Sequence, residues 1–216
     1  MAYCDIKNLL FDLGGVIMNL KRENCIKAFE ALGMAEANAV FGEYSQQGAF
    51  LALEEGALSE DDFHAEVKKM LKPGTTDDEI DNAFCEFLVG IPLNRLKALE
   101  SLHKDYKIYL LSNTNSIHIE KKIKEYFCLD GKNMEYYFDD LILSYEAKAA
   151  KPKREIFEYT VKRLGIKPEE TMFFDDSRKN LESASQLGFN TALVDAGVEF
   201  MDYFVDNKLI KINELD

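Results

Sequence analysis

The sequence predicts an α/β fold, an open and mostly parallel sheet with helices on both faces plus an inserted all-helical segment. Short apolar runs end abruptly in polar loops, and helical periodicities lie between those runs. One long stretch after the first run carries helical patterns alone.

Leu9-Leu10-Phe11 ends at Asp12 and a Gly-Gly pair, the pattern of a buried strand running into a sharp turn. From about Lys21 to Gly90 only helical patterns are expected. Ser59-Glu60-Asp61-Asp62 has the form of an N-cap with an acidic first turn, and Phe63, Val67, Met70 and Leu71 continue as an apolar face. Pro73-Gly74-Thr75-Thr76 is a break, after which Ile80, Phe84, Phe87 and Leu88 mark the next helix. Pro92 suits the first turn of a helix carrying Leu93, Leu96, Leu99 and Leu102. Ile108–Leu111 is a second strand, ending at Ser112-Asn113-Thr114-Asn115 and followed by a helix through Ile117 and Ile123. Leu141-Ile142-Leu143 before Ser144 is a further strand. The face of Ile156, Phe157, Thr160, Val161 and Leu164 ends at Gly165, where a helix C-terminus favours glycine. Met172-Phe173-Phe174 then runs into Asp175-Asp176-Ser177, and Leu181, Ala184 and Leu187 repeat the helix signature before Gly188. Thr191–Val194 is the last core strand. Val198–Asp216 is expected to hold a short helix and an edge strand.

The 216 residues are 47% hydrophobic and 30% charged, a globular composition for one domain with an insertion. Acidic residues outnumber basic ones 39 to 26, a net charge of −13 that does not suit a surface built to neutralise nucleic-acid phosphates. A small phosphorylated molecule is not excluded, because a metal ion or one local lysine reverses the field inside a cleft. The first residues, Met1-Ala2-Tyr3-Cys4-Asp5, show no signal-peptide pattern, and no apolar run reaches the ~18–20 residues that span a bilayer. Cys4, Cys25, Cys85 and Cys128 are far apart, with no CxxC pair, and read as reduced thiols. The expectation is a cytoplasmic protein without membrane or nucleic-acid partners.

In an open parallel sheet, ligands bind beyond the carboxyl ends of the strands. Asp12, Ser112 with Asn113, and Asp175 with Asp176 all fall there. Taken singly, each has a structural role as a turn or capping residue. Three such ends converging on one crevice favour function. Carboxylates without neighbouring cysteine or histidine suit a hard cation held by oxygen, Mg²⁺ first. A carboxylate beside such a cation can attack a phosphoryl group, whose developing charge needs a cation and hydrogen-bond donors. Ser112 and Asn113 supply donors, and Lys151 before Pro152 supplies the cation, although Lys148 and Lys153 beside it also fit a solvated surface. His64, His103 and His118 are expected at the surface or partly buried, without metal-ligand spacing; His118, near the Asn113 loop, is a candidate for a minor substrate contact. Tyr136-Tyr137-Phe138 reads as packing. Tyr44, Phe50, Leu51, Glu54 and Glu55 are candidates to face the crevice from the insertion.

Phe11-Asp12-Leu13-Gly14-Gly15-Val16, Leu111-Ser112-Asn113-Thr114-Asn115, Lys151-Pro152 and Phe174-Asp175-Asp176-Ser177 together resemble, in order and spacing, the four motifs of the haloacid dehalogenase-like hydrolases. The resemblance covers essentially the whole chain, and each motif is weak alone. Within that superfamily the chain looks most like the bacterial α-D-glucose-1-phosphate phosphatase type, and more distantly like the phosphatase domain of soluble epoxide hydrolase. The resemblance implies a Rossmann-like core of residues 1–19 and 92–216, with a C1-type cap over 20–91. It implies a Mg²⁺-dependent phosphatase acting on a small phosphorylated metabolite, a sugar phosphate first, through an aspartyl-phosphate.

Carried over to these residues, Asp12 is the nucleophile and a metal ligand, Asp176 the second metal carboxylate, and Asp175 its support. Ser112 and Asn113 hold the phosphoryl group, and Lys151 bridges nucleophile and phosphoryl oxygens. Asn180 stands where many relatives have an acidic residue, in a supporting role. Gly14 departs from the pattern: it retains the backbone carbonyl offered to the metal but lacks the acid–base side chain usual there. General acid–base help is worth ~10²–10⁴ in rate. The departure leaves room for a phosphatase with a substitute proton donor, for a slow enzyme, and for a non-catalytic phosphate-binding pseudoenzyme. A phosphonatase and a 2-haloacid dehalogenase rank behind the phosphatase.

Overall fold

The computed structural model describes residues 6–41, 46–128 and 131–210. In chain order the strands are β1 (Asn8–Phe11), β2 (Asn19–Leu20), β3 (Leu88–Gly90), β4 (Lys107–Ser112), β5 (Asp140–Leu143), β6 (Thr171–Asp175), β7 (Asn190–Leu193), β8 (Phe204–Val205) and β9 (Lys208–Leu209). The insertion carries α1 (Arg22–Ala31), α2 (Ala37–Val40), α3 (Ala49–Glu54), α4 (Glu60–Lys68) and α5 (Asp77–Cys85). After it come α6 (Leu93–Leu102), α7 (Ser116–His118), α8 (Lys124–Phe127), α9 (Met134–Tyr137), α10 (Ser144–Ala147), α11 (Arg154–Leu164) and α12 (Arg178–Ser185).

Five strands form one parallel sheet in the order β5-β4-β1-β6-β7, a Rossmann-like arrangement. β1 lies at its centre, with Phe11 in register with Leu110 on one side and Phe174 on the other. Because side chains alternate along a strand, Leu9 and Phe11 enter one apolar cluster and Leu10 enters another. Met172, Phe174 and Phe173 divide the same way. Helices α6 and α8 cover the first face, and α11 and α12 cover the second. Both faces are therefore apolar, which is why these strands read as continuous hydrophobic runs.

The insertion has its own core. Phe50 is fully buried, with ring centroids 4.7–5.3 Å from those of Phe29, Phe41, Phe63 and Phe84. Ser59 caps α4 by accepting from Asp62 N, and Thr76 with Glu79 forms a capping box on α5. Ile117 of α7 packs into this cluster, and Lys121 reaches Asp81 of α5 at 3.0 Å and Asp78 at 2.7 Å. These contacts fasten the insertion to the sheet-bearing part.

Several expectations are corrected. The stretch between Lys21 and Gly90 is not wholly helical, because β3 pairs antiparallel with β2 where the chain leaves and re-enters the sheet region. Two or three residues are too short a run to display a period. The tail forms a 3-10 turn at Phe200–Tyr203 and a separate hairpin, β8 with β9, and adds no strand to the main sheet among the described residues. The helix through Ile117 and Ile123 is interrupted by a π-helical turn at Ile119–Ile123. His64 and His118 are buried at 8% and 4% exposure. His64 pairs with Asp81 at 2.7 Å, while His118 meets the Phe84 carbonyl at 3.2 Å and burial pushes its pKa down to about 4. Tyr137 and Phe138 pack in the core as expected, and Tyr136 is exposed. The N-terminal reading, Cys4 and Tyr44 lie outside the described residues, whereas Cys25, Cys85 and Cys128 are free thiols.

Phe50→Ala removes the ring that touches four others, and should cost roughly 3–5 kcal/mol. A urea titration followed by circular dichroism would register this as a lower midpoint.

Candidate active site

The carboxyl ends of β1, β4 and β6 meet at one small cavity. Asp12 follows β1, and its backbone N–H donates to Phe174 O at 2.9 Å, continuing the ladder one residue beyond the strand. Asp175 closes β6 and is fully buried, and Asp176 follows it half-buried. One carboxylate oxygen from each of Asp12, Asp175 and Asp176 lies within 4.8 Å of the other two.

Lys151 holds this cluster together. Its Nζ lies 2.8 Å from Asp12 Oδ1 and 2.8 Å from Asp175 Oδ2, and it donates to Leu111 O at 3.0 Å. Three N–H groups meet three acceptors, so the buried ammonium is saturated. Burial opposes its charge, but Asp12 and Asp175 outweigh burial and raise its pKa above the usual lysine value. Asn113 fixes the backbone of that lysine from both sides: Lys151 N donates to Asn113 Oδ1 at 2.8 Å, and Asn113 Nδ2 donates to Lys151 O at 2.9 Å. Asp175 also accepts from Ser177 N at 2.8 Å and from Asn180 Nδ2 at 2.9 Å. Its oxygens are thus spent on Lys151, the turn and Asn180.

Asp12 and Asp176 remain available. Both contacts to the Asp12 carboxylate, from Lys151 and from Leu13 N at 2.6 Å, fall on Oδ1, leaving Oδ2 without a bond on a residue that lines the cavity. Burial first, then the neighbouring carboxylates, raises the Asp12 pKa to about 7 against the pull of Lys151. Burial and Asp175 raise Asp176 to about 6. Three carboxylates sharing one ammonium lack positive charge, and their donor atoms are all oxygen. That chemistry fits Mg²⁺ and does not fit a soft metal.

The cavity has a volume of about 100 Å³. Asp12, Gly14, Asn113, Lys151, Asp176 and Asn180 line it from the sheet side, with Gln46 and Glu54 from the insertion. Ser112 ends β4 and is buried; its Oγ donates to Asn113 O at 3.4 Å, and it does not line the cavity. The helix after this loop is capped by Asn115, which accepts from His118 N at 2.9 Å, and not by Ser112 or Asn113. Of the insertion residues expected at the crevice, Glu54 lines it, Phe50 belongs to the insertion core, and Glu55 pairs with Lys153 at 2.5 Å. His118 faces α5 and does not line the cavity. Gln46 was not singled out in the sequence, where nothing distinguishes it from a solvated glutamine. It is buried, and its Oε1 has no hydrogen-bond partner among the described residues.

Two glycines are required by close approach. Gly15 has φ +75°, and a Cβ there would lie 2.1 Å from Asp176 Oδ2. Gly56, with φ +63°, brings the end of α3 onto the backbone of the sheet-bearing part, where a Cβ would lie 2.1 Å from Tyr145 O.

The family model for haloacid dehalogenase-like hydrolases matches residues 6–188. The chain belongs to the haloacid dehalogenase-like hydrolases. Among its relatives in this family, a D-ribitol-5-phosphate phosphatase from Bacteroides thetaiotaomicron is 36% identical over 195 residues, 90% of this chain and 95% of that one. A haloacid dehalogenase-family enzyme from the same organism, solved with magnesium and inorganic phosphate, superposes with a TM-score of 0.87 at 40% identity, covering 93% of this chain and 100% of the other. A predicted HAD-like hydrolase from Porphyromonas gingivalis gives a TM-score of 0.84 at 34% identity, covering 92% and 95%. Among the described residues, no helix is long and apolar enough to cross a membrane.

Lys151→Met should strand Asp12 and Asp175 without their countercharge, at a cost of roughly 3–5 kcal/mol where both are ionised. Removing the lysine takes away the one cation that pulls the Asp12 pKa down, so that pKa rises further. The unfolded chain then releases its protons first as pH rises, so the variant should lose stability between about pH 5 and pH 8 relative to wild type. Guanidinium unfolding at pH 5.5 and pH 8 measures this difference.

Proposed function

We propose that this chain is a Mg²⁺-dependent phosphatase that hydrolyses a small phosphorylated metabolite, a sugar or polyol phosphate, through an aspartyl-phosphate on Asp12. The observation that carries the reading is the buried Lys151 held between Asp12 and Asp175, with Asp12 Oδ2 left unbonded in the cavity. An ammonium saturated in this way keeps Asp12 oriented and lowers the cost of its negative charge.

Asp12, Asp176 and the backbone carbonyl of Gly14 would hold the Mg²⁺, which supplies charge against the phosphoryl oxygens when bound. Asp12 Oδ2 attacks phosphorus in line, and the bond from phosphorus to the ester oxygen breaks. Lys151 steadies the nucleophile and the transferring oxygens, with Ser112 and Asn113 at the loop beside it. Asp175 and Asn180 are supporting residues that keep Lys151 and the β6 loop in place. Water then cleaves the aspartyl-phosphate and restores Asp12.

Residues 20–91 act in this reading as a C1-type cap over a core of 1–19 and 92–216. The buried, unpartnered Oε1 of Gln46 at the cavity supports a hydroxylated substrate, since an unpaired buried acceptor gains from a donor in the ligand. The name of the Bacteroides relative supports a polyol phosphate, and the motif resemblance supports α-D-glucose 1-phosphate.

The test is phosphate release from a panel containing D-ribitol 5-phosphate, α-D-glucose 1-phosphate and p-nitrophenyl phosphate. Wild type should turn over with Mg²⁺ and stop in chelator, and Asp12→Asn should fall to the uncatalysed background. Silence across the panel from a folded, Mg²⁺-binding protein would instead favour the non-catalytic phosphate-binding reading.

A further inference from the structure

Expelling an alcohol from a phosphate monoester requires a proton for a strongly basic oxygen. The groups already assigned at the cavity cannot supply it. Asp12 is the nucleophile and Asp176 a metal ligand, roles each fills only without its proton, and the three N–H groups of Lys151 are spent on Asp12, Asp175 and Leu111 O. Asn113, Asn180, Gln46 and Ser177 carry no proton that dissociates near neutrality. Gly14 has no side chain. Among the described residues that line the cavity, one carboxyl remains, that of Glu54, which reaches it from the insertion.

Glu54 is built into that position. It is 8% exposed and is the last residue of α3. Its main-chain oxygen accepts from Ser144 Oγ at 2.6 Å, and Ser144 Oγ in turn accepts from Thr114 N at 2.9 Å. The end of α3 is thereby pinned to the loop after β4 that carries Asn113. Among the described residues its carboxyl has no hydrogen-bond or ion-pair partner, whereas adjacent Glu55 is taken up by Lys153. Burial, then the like charge of Glu55, pushes the Glu54 pKa up to about 8, so the side chain carries a proton at neutral pH. Among the described residues, Asp12, Asp176 and Lys151 are the titratable groups that share its cavity.

Resting on the phosphatase reading above, we propose that Glu54 is the general acid and base of the reaction, acting from the insertion. As Asp12 Oδ2 bonds to phosphorus, the Glu54 carboxyl gives its proton to the departing ester oxygen, which leaves as a neutral alcohol. The resulting carboxylate then takes a proton from the water that attacks phosphorus in the aspartyl-phosphate. The bond from phosphorus to Asp12 breaks, inorganic phosphate forms, and both carboxyl groups return to their starting states.

A series of substituted phenyl phosphates, from p-nitrophenyl to p-methoxyphenyl, separates this role from a structural one. The more basic the leaving phenolate, the more it depends on a donated proton. Wild-type kcat/KM should vary shallowly along the series. Glu54→Gln should fall by less than about tenfold on the nitrophenyl ester and by about 10² or more on the methoxyphenyl ester. Glu54→Asp keeps the proton and should keep a slope nearer to wild type, even where its overall rate drops. Equal losses along the series in both variants, or no loss in Glu54→Gln, would overturn the assignment. Absence of turnover by wild type on every ester would overturn the phosphatase reading itself.

Discussion

The site depends on one buried ammonium. Lys151 joins the ends of three strands, through Asp12 after β1, Leu111 O in β4 and Asp175 in β6. A lysine so deeply buried is tolerable only when every proton is matched, and here each is. The arrangement also divides labour between the two adjacent aspartates of β6. Asp175 is spent on holding Lys151 and the turn, which frees Asp176 to line the cavity. Asn113 and Asn180 act one step out, the first on the backbone of the lysine and the second on the carboxylate that pairs with it.

The insertion is seated on this assembly at several points. Lys121 bonds to Asp78 and Asp81, Ser116 Oγ donates to Glu60, Lys153 pairs with Glu55, and Ser144 bonds to the main chain of Glu54. The exposed ion pairs among these contribute little singly. Their number and placement set the registry between two separately packed apolar cores, so the Gln46 and Glu54 side chains reach the same cavity as Asp12.

Much of this was legible in sequence because the signals are local. A buried central strand must be apolar throughout, so the polar residue that ends it stands out, and Asp12, Asp175 and Asp176 were visible for that reason. Helix ends at Ser59 and Gly165 follow from capping chemistry, and both appear where expected. What stayed hidden depends on distant partners. Glu54 and Glu55 are neighbours with the same side chain, and only Lys153, 98 positions from Glu55, distinguishes their fates. The bonds from Asn113 to both backbone groups of Lys151, 38 positions away, leave no trace in the sequence. The division between Asp175 and Asp176, the burial of His64 against Asp81, and the unpaired Gln46 are likewise outcomes of tertiary contact. β3 and the β8–β9 hairpin escaped because two or three residues carry no usable period.

Gly56 sets the distance between the two cores at one point. Its missing side chain lets the turn after α3 rest on Tyr145 O, and any larger residue there would act as a wedge beside the pivot of Glu54. The position offers mechanical leverage over a reaction chamber it does not line. Widening the gap at residue 56 would leave Asp12, Lys151 and Asp176 in place but would carry Glu54 away from them. Reach and acid–base chemistry are therefore tied to each other at this turn.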